Sequence, residues 1–228
     1  MGFDAICAEQ SRRTLSRVLS QPIHRDAVIN GKFGGGVLVI ALMLVALGLL
    51  VGGMRLLLIG VPPTGDELLR ILAFLLVTLV NVAFWLALSI LFSVIFRQAA
   101  TSALAGIVVW LFLAVFYSLL VGLVAGGAAP ADPGADVAAQ LHQAQVQTAL
   151  SRLAPQTLYD EAAVTLLTPP VRTLGPVLME QVAGAIKGNL PFGQSLLLVW
   201  PHVTGLIAET LTCFAASYVL FMRREVRA

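Results

Sequence analysis

The chain has 228 residues, of which 58% are hydrophobic and only 11% are charged. A soluble globular domain carries about 25% charged residues, because its surface must face water. The composition therefore excludes a soluble globular protein and favours a chain whose main solvent is lipid. The formal net charge of +2 says little about partners by itself, and no nucleic-acid partner is expected.

Residues 1–32 are polar and basic, and they contain no early apolar run of the kind found in a secretory signal peptide. Within this segment the stretch from Ala5 to Leu19 predicts a short amphipathic helix. Pro22 ends that helix, because proline cannot continue the helical hydrogen bonding. The segment 1–32 is thus predicted to be an amphipathic element that precedes the first membrane helix.

Four long uncharged or nearly uncharged runs follow, from Phe33 to Met54, from Ile71 to Phe96, from 98 to 127 and from Ser195 to Met222. About 20 apolar residues suffice for a helix to cross the hydrocarbon core, and each run supplies that number. The predicted fold is an all-α integral membrane protein, a four-helix transmembrane bundle. Its helices occupy 33–127 (three spans) and 195–222 (one span).

The basic residues predict the orientation of the bundle. Lys and Arg residues near span ends collect on the cytoplasmic side of membrane proteins. Nine of them fall on one side, against two in the short connection between spans one and two. The nine are Arg12, Arg13, Arg17, Arg25, Lys32, Arg97, Arg223, Arg224 and Arg227. This predicts a multi-pass protein of the cell membrane, with segment 1–32 and the tail 223–228 both cytoplasmic.

The segment 128–194 is then an extracytoplasmic loop. Apolar residues at helical spacing from Val137 to Leu153 predict one amphipathic helix, and a second is predicted from Leu174 to Ile186. A connection of this length is longer than a simple turn. We therefore expect the loop to fold against the outer ends of the spans or to lie in the membrane interface.

Three polar residues deep within the predicted spans are singled out by their amide, imidazole or carboxyl groups: Asn81, His202 and Glu209. Such residues usually face the bundle interior or a water-filled path, because hydrocarbon offers them no partner. Glu209 and His202 are therefore candidates for a substrate or ion contact. The alternative for both is a hydrogen-bonded residue at a helix interface. For Asn81 the preferred interpretation is interhelical packing through hydrogen bonds.

The sequence contains no nucleotide-binding or catalytic motif that we can identify. Gly31-Lys32 does not complete a P-loop, since Asp26 stands where the first glycine is needed and Phe33 where Ser or Thr is needed. The two cysteines have no metal-ligand spacing, and the spans contain no paired-acid, zinc-protease or Ser/His pattern. We predict a non-catalytic chain without a cofactor or metal, whose energy source lies on another chain.

The N-terminal segment contains an ordered set of residues that indicates a protein family more specifically than the amino-acid composition does. The set comprises Phe3, Asp4, Ile6, Glu9, Thr14, Leu15, Leu19, Ser20, Pro22, Arg25, Gly31, Lys32 and Phe33. It resembles the cytoplasmic motif that leads into a membrane helix in permease subunits of ABC-2 type ATP-binding cassette transporters. Outside this motif the resemblance extends over the remaining spans and rests on hydropathy.

The resemblance implies that the N-terminal helix is a coupling helix, which docks in a groove of a separate ATPase subunit. The residues expected to make this contact are Glu9, Arg12, Arg13, Thr14, Leu15, Arg17, Pro22 and Arg25. ATP and Mg are then bound by that partner, and the permease works as a homodimer or heterodimer and exports a substrate. The alternative is a helix that lies on anionic lipid, in a non-transporting membrane anchor or scaffold that recruits a cytoplasmic partner.

The chain departs from the family pattern in two respects. The family usually has glycine before the Thr-Leu pair, and here that residue is Arg13. The family also usually has six spans, two of which precede the motif. We therefore expect the chain to be a shortened form, or two further spans to precede it.

Overall fold

The computed structural model describes residues 2, 25–60, 62–96, 98–128, 137–167 and 191–223. Within these ranges all regular structure is helical and no strand occurs. Four helices are long and apolar enough to cross a membrane, which confirms the all-α membrane fold with four spans. The amphipathic helices predicted at 5–19 and 174–186 lie outside the described residues.

The first, second and fourth spans are longer than the apolar runs that predicted them, and the third matches its run in length. The first is α1, Arg25–Ile59, and the second is α2, Gly65–Ile95. The third consists of α3, Ala99–Leu111, a π-helical turn, Phe112–Phe116, and α4, Tyr117–Ala128. The fourth is α7, Phe192–Arg223. At 1.5 Å per residue, 31 residues extend about 46 Å, well beyond a hydrocarbon core of about 30 Å.

The connection between α1 and α2 is therefore much shorter than the stretch Arg55–Arg70 that separates the predicted runs. Gly60 follows the end of α1 with a φ of 71°, a conformation that favours glycine. Thr64 caps α2, because its hydroxyl accepts the Glu67 backbone N–H while the Glu67 carboxylate accepts the Thr64 N–H. Arg70 thus lies inside α2 and is buried, where the sequence alone places it at the edge of the span.

Among the described residues, two further helices lie between spans three and four: α5, Val137–Ser151, and α6, Pro155–Leu167. A tight turn joins them, and α5 packs against α4 whereas α6 packs against α2 and α7. The two helices and their turn, residues 137–167, are called the hairpin below. The predicted helix from Val137 to Leu153 corresponds in position to α5. No helix is predicted at α6, although α6 is the one that packs into the bundle.

The bundle has two ends with distinct apolar clusters. At the proximal end, where α1 starts and α2 and α7 end, Ile29 packs with Ile90, Val94 and Phe221. At the distal end, α6 packs between α2 and α7. The buried residues of this distal cluster are Ala73, Val77, Leu158, Ala162, Leu166, Val199 and Leu206. The starts of α2 and α7 both lie at the distal end, and their last turns both lie at the proximal end. The two helices therefore run parallel, and α6 packs between them.

Candidate functional site

The hairpin extends from the distal ends of the spans toward their middle. At its turn, the hydroxyl of Tyr117 in the third span donates a hydrogen bond of 2.6 Å to the backbone oxygen of Leu150. Further along α6, the hydroxyls of Tyr159 and Thr78 are 3.2 Å apart. Thr78 lies 13 residues from the start of α2, or about 20 Å along the helix axis. The turn of the hairpin is therefore inserted among the spans.

The π-helical turn Phe112–Phe116 directly precedes Tyr117. A π turn adds a residue to the helical register and rotates everything that follows it, and such turns frequently occur at functional sites. Here it sets the direction of Tyr117 toward the hairpin. The contact between the third span and α5 thus depends on a local irregularity of the helix.

A buried polar cluster joins α6 to the last span. The Oε2 atom of Glu161 lies 2.6 Å from His202 Nε2 and accepts a hydrogen bond of 3.1 Å from Arg152 Nε. The side chains of Glu161 and His202 are 7% and 4% exposed, so water does not separate them. We call Arg152, Glu161 and His202 the polar triad.

The short distance between Glu161 and His202 requires a proton between the two atoms. Either a ring N–H donates to the carboxylate, or a carboxylic acid donates to the ring. The second ring nitrogen, His202 Nδ1, lies 3.2 Å from the backbone oxygen of Leu198. In either arrangement the hydrogen bond ties the hairpin to the last span.

The polar triad is not fully satisfied. Oε1 of Glu161 is buried and has no hydrogen-bond partner. A buried carboxylate oxygen without a hydrogen-bond donor destabilises the folded protein, and a hydrogen bond to that oxygen would remove the cost. The triad can therefore accept one further donor, either from a bound molecule or from a rearranged side chain.

Arg70 fixes the other end of α6. Its guanidinium donates to Asp66 at 2.7 Å, to the backbone oxygen of Leu166 at 3.4 Å and to the hydroxyl of Ser195 at 3.2 Å. These contacts join α2, the C-terminal turn of α6 and the start of α7. A charged group buried with several partners is stable only while all of them are present, so Arg70 makes the packing of the three helices interdependent.

Asp160 lies next to Glu161 on α6 but is exposed. Neighbouring residues displace part of the water around its carboxyl and so raise its pKa, and the Gln156 amide opposes this by donating a hydrogen bond of 3.1 Å. Asp160 makes no contact of this kind with the spans. It is therefore a useful neighbour for comparison with Glu161.

The structure separates the three predicted intramembrane residues. His202 belongs to the polar triad, whereas Glu209 lies two turns further along the same face of α7. Glu209 is close enough to Tyr117 and Cys213 to interact with them electrostatically, and its Oε2 atom is buried without a partner. Asn81 is buried in α2, and its Oδ1 also lacks a hydrogen-bond partner. A role for these residues in transport stays a prediction.

The residues predicted to contact an ATPase fall almost entirely outside the described ranges. These are Glu9, Arg12, Arg13, Thr14, Leu15, Arg17 and Pro22. Arg25 is the first residue of α1, and nothing is described of its side chain. Their role in coupling stays a prediction.

Sequence reasoning missed Glu161, Arg152 and Arg70. A periodic signal for α6 is present, because Pro155 suits the first position of a helix and the buried residues Leu158, Ala162 and Leu166 follow at spacings of four. The pairing of Glu161 with His202, 41 residues apart, has no local signal. Among the described residues no three His, Cys, Asp or Glu side chains come together as metal ligands.

These observations define the class of the protein: a multi-pass α-helical membrane protein whose loop hairpin packs into the spans through a buried polar cluster. The family model described as ABC-2 family transporter protein matches residues 1–226. The chain therefore belongs to the ABC-2 transporter family, which confirms the resemblance inferred from the N-terminal motif. No curated protein matches it closely enough to report.

Family membership makes the chain a membrane component of permease type. Such components are generally non-catalytic, and members of the family work in general with an ABC ATPase.

Proposed function

We propose that the chain is the permease subunit of an ABC-2 type transporter that exports a substrate, powered by ATP hydrolysis on a separate ABC ATPase subunit. The observation that carries this proposal is the family match over residues 1–226. The predicted coupling residues in segment 1–32 would form the contact with the ATPase. Two permease chains, identical or different, would surround the substrate path.

The start of α1 suits the transmission of movement from the ATPase to the bundle. Ile29 is fully buried between α2 and α7, and the rings of Phe33 and Phe214 lie 4.5 Å apart. α1 is a continuous helix of 35 residues. A displacement of segment 1–32 would therefore move the proximal ends of α2 and α7, since α1 packs against both.

The hairpin suits the role of a distal gate. The polar triad joins it to α7, and Arg70 joins it to α2 and α7 together. An outward movement of either span would have to break these buried contacts or carry the hairpin with it. Export would then couple rearrangement of the proximal cluster to release of the hairpin at the distal end.

The first test is whether the chain co-purifies with an ABC ATPase and changes conformation with nucleotide. Spin labels at Pro63→Cys and Gln194→Cys, both exposed at the distal end, report opening of the bundle in the reconstituted complex. We expect the distance between the labels to change on addition of ATP and Mg. An anchor or scaffold without a transport cycle would show co-purification and no change in distance.

The second test addresses the coupling residues. We expect Glu9→Gln or Arg25→Ala to weaken the affinity of the chain for the ATPase about tenfold, the effect of losing about 1.4 kcal/mol of contact free energy. The fraction of molecules that show the ATP-driven distance change should fall accordingly. Membrane insertion should be unaffected. Arg55→Ala is the matched control, because Arg55 lies at the opposite end of α1 and makes a half-exposed ion pair with Glu67, which contributes little. If the Glu9 and Arg25 variants both show the normal response to ATP, segment 1–32 does not form the contact with the ATPase.

A further inference from the structure

A cleft of about 280 Å³ opens between α2 and the third span. Its lining includes Trp85 and Ser89 from α2 and Ser102, Gly106 and Trp110 from α3. The walls are almost entirely apolar. The cleft is slightly smaller than a typical small-molecule pocket, and its size suits a segment of one flexible apolar chain.

The cleft lies along the proximal part of the third span. Ser102 lies three residues from the start of α3 and Trp110 eleven, which places them about 4.5 Å and about 16 Å from the proximal end of the span. Half of the hydrocarbon core is about 15 Å thick. The cleft thus follows the path of an acyl chain in the leaflet that faces the proximal end.

One polar group in the cleft lacks a partner. Ser102 is fully buried, and its Oγ atom makes no hydrogen bond. The Ser89 hydroxyl, by contrast, donates to the backbone oxygen of Trp85 at 2.7 Å. A buried hydroxyl without a partner is costly, and a bound molecule that offers an acceptor, such as an ester carbonyl, would remove that cost.

In the sequence, a basic residue lies between the two helices that form the cleft. Arg97 is the only charged residue between Arg70 and Asp132, and in the sequence it joins the two helices that form the cleft. A basic residue at a membrane surface attracts anionic headgroups by about 1 kcal/mol.

We propose that this cleft binds an anionic glycerophospholipid of the proximal leaflet. One acyl chain lies between Trp85 and Trp110, and the Ser102 hydroxyl donates a hydrogen bond to an ester carbonyl of the lipid. The phosphate group lies at the proximal end of the cleft, between the end of α2 and the start of α3. The site is independent of the ATPase and of the transported substrate.

The experiment uses the tryptophans as reporters. The chain has three, so Trp200→Phe leaves only the two that line the cleft. Phosphatidylglycerol with dibrominated acyl chains is titrated into the full chain in detergent. We expect saturable quenching of fluorescence that Gly106→Leu abolishes, because its side chain fills the cleft. We expect Ser102→Ala to weaken the apparent affinity about fivefold, the effect of one hydrogen bond.

The controls lie on the same span. Gly122→Leu adds the same side chain where nothing lies within 4 Å, and Ser118→Ala removes an exposed hydroxyl that bonds within its own helix. In both control variants, the brominated lipid should quench the tryptophan fluorescence as it does in the chain that carries Trp200→Phe alone. Non-saturable quenching that is equal in all variants would show only annular lipid and would overturn the site. Equal affinity for brominated phosphatidylcholine would overturn the anionic specificity, and a change of oligomeric state in Gly106→Leu would assign the cleft to a second copy.

Discussion

At the scale of single residues, the attachment of the hairpin depends most on Glu161. Its carboxylate contacts both Arg152 and His202, and the pair with His202 is nearly inaccessible to water. Glu161→Ala leaves His202 buried without its partner, and breaking a buried pair by removing one member costs about 3 kcal/mol or more. We expect the variant to lower the thermal unfolding midpoint of the purified chain by several degrees.

The matched control for this prediction is the neighbouring acid. Asp160→Ala removes an exposed carboxyl whose hydrogen-bond partner is Gln156, so we expect a change of about 0.5 kcal/mol or less. A double-mutant cycle between Glu161→Gln and His202→Gln measures the coupling directly, and we expect it to exceed about 1 kcal/mol. Additive effects of the two changes would mean that the pair does not hold the hairpin.

The polar residues illustrate what a sequence reveals at this scale. His202 and Glu209 are conspicuous because they interrupt an apolar span, and their positions along α7 follow from chain length alone. Their partners do not follow in the same way. Glu161 lies in a segment of ordinary polarity, and only the insertion of α6 between two spans brings it to His202.

At the scale of helices, α6 and α7 approach each other closely at Gly205. A Cβ atom there would lie 3.0 Å from Leu158 Cδ1, so alanine requires only a small movement of a flexible side chain. A larger side chain displaces α6, and overpacking of this kind costs about 2 kcal/mol. We expect Gly205→Leu to accelerate amide hydrogen exchange in residues 155–167 about thirtyfold, while Gly205→Ala has little effect.

Two further variants test whether the contact itself is responsible. Gly193→Leu places the same side chain on α7 where nothing lies within 4 Å, so exchange in α6 should be unchanged. Adding Leu158→Ala to Gly205→Leu creates space for the new side chain and should restore much of the protection. Unchanged exchange in Gly205→Leu alone would show that α6 is not held against α7.

Helices differ in how well their sequences predict them. The spans follow from local hydropathy, since any apolar run of sufficient length needs lipid around it. α2 begins before its apolar run for two reasons. The Thr64 capping box starts the helix ahead of its polar first turn, and Arg70 forms hydrogen bonds inside the bundle. α6 has moderate hydrophobicity, and its packing between two spans is a tertiary effect.

At the scale of the whole molecule, the sequence predicts that the two ends of the bundle face different sides of the membrane. Most basic residues of the sequence flank the span ends that the structure brings to the proximal end, and positively charged connections stay in the cytoplasm during insertion. The structure places the exposed residues Pro63 and Gln98 in connections at opposite ends. A chain without Cys7 and Cys213, carrying Pro63→Cys or Gln98→Cys, allows each end to be labelled separately. We expect a membrane-impermeant maleimide to label Pro63→Cys on intact cells.

Under the same conditions Gln98→Cys should react only after the cells are permeabilised. The two variants control for each other, because Pro63→Cys should react with or without permeabilisation and Gln98→Cys only with it. The opposite labelling pattern would place the hairpin in the cytoplasm and segment 1–32 outside, where no ATPase could reach it. The orientation therefore decides whether the proximal end can receive energy from ATP and whether the hairpin can act as a gate on the far side.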